Sequence, residues 1–550
     1  MSLQFIFGNS GSGKSHYLYQ QIVEESIRHP EKNYLVLVPE QFTMQTQKDL
    51  CMAHPRGGIM NIDVLSFGRL AHRVFEETGK ERQPILDDEG KNLVLRKIAG
   101  NYEDELTVLK GNLKKQGYIR EVKSVISEFT QYGIDFEQLD SFMEGLNPES
   151  YLYYKLKDIR KVYEGFEDYL RDKYITKEEL LDVLSQNVAE AKMLKDSVIA
   201  MDGFTGFTPV QNRLIGELLK VCDKIMLTVE IDRREDPFVY KHPYQLFALS
   251  KQMVTSLTEV AQEVKVEIDE PVWLCKNPPY RFKENPEMAF LEEELFRYSR
   301  RKYSGEKMQS ISLHEVHTPQ EEAQYVAEEI RRLVREEGYR YREIAVIASD
   351  LNTYADSLEK ACERYEIPVF MDHKKSILLN SFVEYLRSLL VMVEQNYTYE
   401  SVFRYLRTGL CGFTRDEVDR LENYCLALDL KGFKKWDQVW VRKTPMTKKE
   451  ELEELNQLRV RFVEKLTPLH TVLKKRRKTV KEITLAVYEY LVQEKIQEQL
   501  AELEQKFQEE GELALAKEYA QIYRIVLELF DKFVELLGEE EIPLKEYCEL

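Results

Sequence analysis

Gly8-Asn9-Ser10-Gly11-Ser12-Gly13-Lys14-Ser15 has the spacing Gly-x-x-x-x-Gly-Lys-Ser. Each residue type in it suits one task in holding a phosphate chain. The glycines let backbone N–H groups curl around phosphate oxygens. Lys14 brings positive charge to the β- and γ-phosphates, and the Ser15 hydroxyl is a ligand for Mg²⁺. The flanks fit the same chemistry. Residues 3–7 form an apolar run short enough for a buried strand, and 16–27 is predicted helical, with Leu18, Ile22 and Val23 on one face. A helix start there adds the positive end of its dipole. Strand, octet and helix together predict a P-loop that binds ATP with Mg²⁺; the competing explanation is a chance glycine-rich turn. Asp202 is the second candidate, at the end of the apolar run 196–202. A P-loop site needs such an Asp to hold Mg²⁺, usually through water, beside Ser15. The alternative is a strand-end Asp that caps a turn. No residue is singled out as catalytic.

These residues need a sheet to position them, and the pattern supplies one. Residues 34–38 and 62–67 are further short apolar runs, separated by helical segments, so the first 80 residues alternate β and α as in a doubly wound parallel sheet. From about residue 87 the pattern is helical through 186: 87–99, 102–115, 117–132, 136–143, 150–173 and 176–186. This predicts an all-helical insert. The α/β pattern resumes with 196–202, a helix opened by Thr208-Pro209-Val210-Gln211, and a strand over 224–230. Residues 276–307 carry Pro278, Pro279 and Pro286, then the basic cluster 297–302, and read as a linker whose charges either touch phosphate or are simply solvated. A second, incomplete α/β unit follows, with strands expected at 311–316, 344–348 and 367–371 and helices at 319–336 and 354–365. From 381 onward the pattern is helical and charge-rich. Lys474-Lys475-Arg476-Arg477-Lys478 is its densest basic run, either a phosphate contact or an exposed helix face.

Composition bounds the alternatives. With 550 residues several domains are expected. No apolar run approaches the ~18–20 residues of a membrane span, so no membrane partner is expected. The first strand begins near residue 3, so no leader is expected, and seven scattered cysteines without a C-x-x-C pair suit a reducing cytoplasm. A net charge of −18 confines any nucleic-acid path to a local basic channel.

The order of these elements resembles superfamily-1 DNA helicases of the UvrD/Rep kind: two RecA-like α/β motor domains, each with a helical insert. On that resemblance the first motor domain spans 1–82 plus 188–280, its insert 83–187, the linker 281–307, the second, partial motor domain 308–394, and its insert 395–550. Leu65-Ser66-Phe67-Gly68-Arg69-Leu70 stands where the family has a DNA-contact motif, which makes Ser66, Phe67 and Arg69 candidate DNA contacts, although Phe67 could equally be core. Residues 318–371 resemble the fourth-motif region, with Glu322-Ala323 on its helix and 344–347 as its strand. Val36-Leu37-Val38-Pro39-Glu40-Gln41 and 202–209 (Asp-Gly-Phe-Thr-Gly-Phe-Thr-Pro) resemble more narrowly the AddB/RexB family, B subunits of bacterial ATP-dependent helicase/deoxyribonucleases.

Departures from the helicase pattern shape what the resemblance implies. The helicase motif reads Asp-Glu after its strand, whereas Gly203 follows Asp202. The missing Glu is the group that activates the attacking water, so Mg²⁺ binding can survive while hydrolysis is crippled. Residues 227–232 lack the third motif. Neither an adenine-recognising Gln segment nor the later Arg-bearing motifs are seen, nor the family's nuclease domain with its iron–sulfur cluster, so no cluster is expected in this chain. The resemblance thus implies the N-terminal part of a longer, non-motor subunit. Its partners would be an AddA-type helicase-nuclease subunit, single-stranded DNA and duplex DNA ends. Three rivals stay open: an autonomous helicase, a small-molecule kinase with a P-loop, and a scaffold with a vestigial one.

Overall fold

The computed structural model describes residues 1–79, 84–113, 115–171, 173–305, 308–372, 376–443 and 449–550. The chain divides into two compact units, 1–312 and 313–550.

The first unit is built on a parallel sheet. In chain order its elements are β1 (Ser2–Gly8), α1 (Lys14–Arg28), β2 (Tyr34–Leu37), α2 (Thr43–Ala53), β3 (Ile62–Leu65) and α3 (Phe67–Thr78). Then come β4 (Ile85–Leu86), α4 (Asp88–Asn101), α5 (Gln116–Tyr132), α6 (Phe136–Glu144), α7 (Tyr151–Leu170), β5 (Ile175–Thr176) and α8 (Leu180–Asn187). The unit closes with β6 (Val198–Met201), α9 (Pro209–Leu219), β7 (Lys224–Glu230), α10 (Ala248–Glu263), β8 (Glu267–Ile268), β9 (Val272–Trp273) and α11 (Pro286–Glu294). The seven-stranded sheet runs β3-β2-β6-β7-β1-β8, with β9 also pairing β1, and every ladder is parallel.

Alternation along the strands explains why both faces had to be apolar. Leu3, Phe5, Phe7, Leu35, Leu37, Ile199, Met201, Leu227 and Val229 point into one core, shared with α3, α8, α9 and α10. Ile6, Tyr34, Val36, Val198, Ala200 and Met226 point into the other, shared with α1 and α2. Each fully buried Leu or Ile contributes about 1.5–3 kcal/mol, so the central strands are fixed in register by the two cores together. The fold is therefore α/β with a parallel sheet and large helical regions, as the sequence predicts.

Several local expectations are corrected. Residues 102–113, expected to continue as helix, are turns. The buried Asp158 carboxylate on α7 accepts from the N–H groups of Thr107, Val108 and Leu109 at 2.7–3.0 Å, which pulls these amides out of helical bonding. The insert is not wholly helical either: β4 and β5 pair in parallel at its base, and such two-residue strands leave no periodicity to read. Leu180, Leu184 and Val188, on and just after the last predicted insert helix, are buried in the main α/β core.

The second unit contains α12 (Pro319–Glu336), α13 (Leu351–Arg364), α14 (Ser381–Glu394), α15 (Tyr399–Leu406), α16 (Arg415–Leu428), α17 (Phe433–Asp437), α18 (Lys449–Leu473), α19 (Val480–Gln493), α20 (Ile496–Glu509), α21 (Leu513–Leu537) and α22 (Leu544–Glu549). Helices α12 and α13 pack through Ala323, Ala327, Ile330, Leu358 and Ala361. The three runs expected as strands, 311–316, 344–348 and 367–371, make no ladder. A strand exists only through its pairing partner, and here the apolar residues lie open: Leu313, Ile347 and Phe370 are all at least 89% exposed.

Candidate nucleotide-binding site

The octet folds as its residue types require. β1 ends at Gly8 and α1 begins at Lys14. Gly11 and Gly13 have φ of 71° and 92°, conformations that other residues adopt only with strain. Gly8 is required for a different reason. A Cβ there would stand 2.9 Å from the Leu274 carbonyl oxygen, which the β9 edge brings against the loop. No side chain caps α1, so its first-turn amides remain donors for an anion.

The neighbouring strands complete the site. Asp202 follows β6 and is 7% exposed. Its carboxylate accepts from Tyr19 on α1 at 2.8 Å and from Thr228 on β7 at 2.5 Å. Burial and the Asp202 charge raise the Tyr19 hydroxyl pKa, so it stays a donor. Thr228, Glu230, Asp202, Lys14, Ser15 and the loop line one cavity of about 540 Å³ at the C-terminal ends of β1, β6 and β7. That is the crevice where parallel α/β sheets receive ligands. Burial lowers the Lys14 pKa, while the carboxylates of Glu230 and Asp202 act to raise it. The Lys14 ammonium donates to the Asn9 carbonyl at 2.9 Å.

The chemistry of these donors fits a nucleotide phosphate with Mg²⁺. Uncapped amides and an ammonium converge where glycines leave room; no heavy atom lies within 4 Å of where a Gly13 Cβ would stand. The buried Asn9 Oδ1 and Ser12 Oγ in the same loop have no hydrogen-bond partner. Ser15 and Asp202, the two expected metal residues, face the same cavity. Among the described residues no group of three or more His, Cys, Asp or Glu forms a metal cluster, so a cation here would take the rest of its ligands from phosphate oxygens and water.

The remaining candidates are placed less uniformly. Ser66 is the N-cap of α3, its Oγ accepting from the Arg69 N–H at 3.3 Å, and is buried. Phe67 is 7% exposed and packs on Phe204 and Phe207. Of the three expected DNA contacts only Arg69 lies on the surface. The stretch expected to begin the linker instead packs on the P-loop. The 3₁₀ turn Tyr280–Phe282 donates the Arg281 N–H to the Gly11 carbonyl at 3.0 Å, and a Cβ on Gly11 would meet Arg281. On α11, Glu292 accepts from the Asn9 side-chain amide at 2.9 Å. Arg297 pairs with Asp232 at 2.6 Å, and Arg301 pairs with Glu293 and Glu294.

Several residues of the site were not read from the sequence, Tyr19 and Thr228 on Asp202 among them. Tyr280, 76% exposed, and Arg281 line the cavity mouth. Their signal was an aromatic–basic pair directly after Pro278-Pro279, within what looked like a tether. Glu230 sits opposite Gly8 in the β1–β7 register and supplies a carboxylate beside Lys14. It is not a substitute at 203, and the backbone shows why that position departs from the helicase pattern. Gly203 has φ of 78°, so any other side chain there is strained, although a Cβ would meet Pro39 and Phe42 only at ordinary contact distance, 3.6 Å and beyond.

The family model for the N-terminal region of AddB matches residues 5–292, and that for the UvrD-like helicase C-terminal domain matches 284–547. The chain belongs to the AddB family. It is 41% identical over its whole length to the B subunit of the ATP-dependent helicase/deoxyribonuclease of Lachnoclostridium phytofermentans. It is 34% identical to that of Caldanaerobacter subterraneus and 32% to that of Clostridium novyi. In each case the match covers all of this chain and 48% of the relative, so the chain spans about half the length of the curated relatives it matches. Among the described residues no helix is long and apolar enough to cross a membrane.

Proposed function

We propose that this chain binds ATP with Mg²⁺ at the P-loop, with weak or no hydrolysis, as the non-motor region of a protein that helps process DNA ends in double-strand-break repair. The observation that carries the reading is one pocket with two properties. Uncapped amides, Lys14 and Ser15 converge on it, and the backbone at Gly203 disfavours the water-activating carboxylate. Gly8 to Ser15 would hold the phosphates, Ser15 and Asp202 the metal, and Tyr280 offers a ring at the mouth for a base to stack on. Bound Mg²⁺ would supply charge neutralisation of the phosphates; Tyr19 and Thr228 hold the Asp202 carboxylate in place for it.

The relatives are named as B subunits of an ATP-dependent helicase/deoxyribonuclease. That name supports an assembly in which a partner supplies the motor and this protein guides or scans single-stranded DNA. An AddA-type helicase-nuclease is the partner proposed, and the cytoplasm the compartment. Titration of a fluorescent ATP analogue tests the nucleotide claim. Wild type binds it with Mg²⁺, and Lys14→Ala weakens binding at least about tenfold, the loss of one charge-assisted phosphate contact. Equal binding by the two proteins overturns the claim. DNA-stimulated turnover on the order of 10 s⁻¹ by this chain alone overturns the non-motor part. Copurification of an AddA-type protein with the tagged full-length chain tests the assembly.

A further inference from the structure

The basic run 474–478 lies in the turn between α18 and α19, and four of its side chains, Lys474, Lys475, Arg476 and Arg477, are exposed. In a chain of net charge −18 this is an anomaly. Several arginines of the second unit are matched to carboxylates, as Arg404 is to Glu384 and Arg461 to Glu417. Among the described residues no ion pair involves any of the five. The acidic stretch 539–541 runs past the base of the turn, where the Val480 N–H donates to the Glu540 carbonyl at 2.9 Å and Thr479 bridges Glu541. The negative end of α18 interacts favourably with one or two cations in its last turn, not with five.

The turn is also held rigid. Lys478 is folded beneath it, 7% exposed, with its ammonium donating to the Lys475 carbonyl at 3.0 Å. Thr479 caps α19 in a reciprocal box with Glu482. The uncompensated field reaches the neighbours: burial first and the Lys474 charge second lower the pKa of both His470 and Lys478. A pinned knob of unneutralised charge is relieved by a polyanion.

We propose that this turn is a seat for the phosphate backbone of duplex DNA. Residues 472–481 contain no aromatic side chain, so the turn has no ring on which an unpaired base could stack. Contacts of this kind follow phosphates and ignore sequence. The inference rests on the DNA reading above and names the surface that meets the duplex.

The test uses the full-length protein and unrelated duplex sequences, with affinity measured against salt concentration. Exchanging Lys474, Lys475, Arg476 and Arg477 for Ser should cut affinity at least tenfold and flatten the log–log salt slope by up to about 3.6, near 0.9 per lost phosphate contact. The loss should be equal for every duplex. The double variant Arg476→Lys, Arg477→Lys keeps the charge and should keep the slope, and an unchanged melting temperature shows that the quadruple variant is folded. An unchanged slope in the folded quadruple variant overturns the proposal while leaving the DNA reading intact. A wild type that binds no duplex at low salt overturns both. A loss confined to one sequence, or to an acidic protein partner, also overturns it.

Discussion

At the residue scale the P-loop was legible because its chemistry is local: eight consecutive side chains and their flanks carry the whole cradle. Asp202 was legible for the same reason, as the end of a strand buried on both faces. Phe67 was not. Whether an aromatic at the start of a helix faces DNA or core depends on Phe204 and Phe207, well over a hundred residues away in sequence. Tyr280 and Arg281 were hidden by prolines that resemble a tether until the Arg281 amide is seen on Gly11. Gly203 shows how a residue-level absence can be a backbone property. Gly203→Glu restores the helicase-like pair of acids but forces a side chain onto a φ of 78°. It should destabilise the first unit by about 1 kcal/mol and leave turnover at background. Chemical denaturation and a phosphate-release assay read the two effects; vigorous turnover in this variant would mean that only the side chain had been missing.

At the scale of elements, helices and strands that bury a periodic face were readable, and those held by distant partners were not. The turns at 102–113 depend on Asp158, some fifty residues away in sequence. Asp158→Asn keeps the shape and removes the charge from a group serving three amides. The insert should lose about 2–3 kcal/mol, seen as a lower unfolding midpoint with its helices affected first. Glu167, also on α7, gives a pH signature. Burial first, then the Glu179 charge, pushes its carboxyl up to about 7. Unfolded, it titrates near 4.5. Between those values the folded state binds the extra proton, so stability falls as pH rises from about 4.5 to 7 and levels off above. The effect should not exceed about 2 kcal/mol after allowance for solvent screening. Urea midpoints at pH 5 and 7.5 should converge in Glu167→Gln; an unchanged gap would assign the pH dependence elsewhere.

At the scale of the whole molecule, a parallel sheet interrupted by a long, mainly helical stretch was readable from where periodicities change. The absence of strands at 311–316, 344–348 and 367–371 was not readable, because these apolar runs resemble those of β1 or β2 and only pairing tells them apart. The last part of the first unit is tied back to its P-loop and to the segment after β7. Asn9 is bonded to Glu292, Gly11 to Arg281, and Arg297 to Asp232. The loop from Gly8 to Ser15 is thereby tied to residues 281–292. If the proposed nucleotide stiffens the loop, it should stiffen that contact too, and occupancy would be readable at a distance without turnover. Amide hydrogen exchange over 281–297 should slow several-fold with ATP and Mg²⁺, and should not respond in Lys14→Ala. Exchange that slows in the loop but is unchanged over 281–297 would show that the contact transmits nothing.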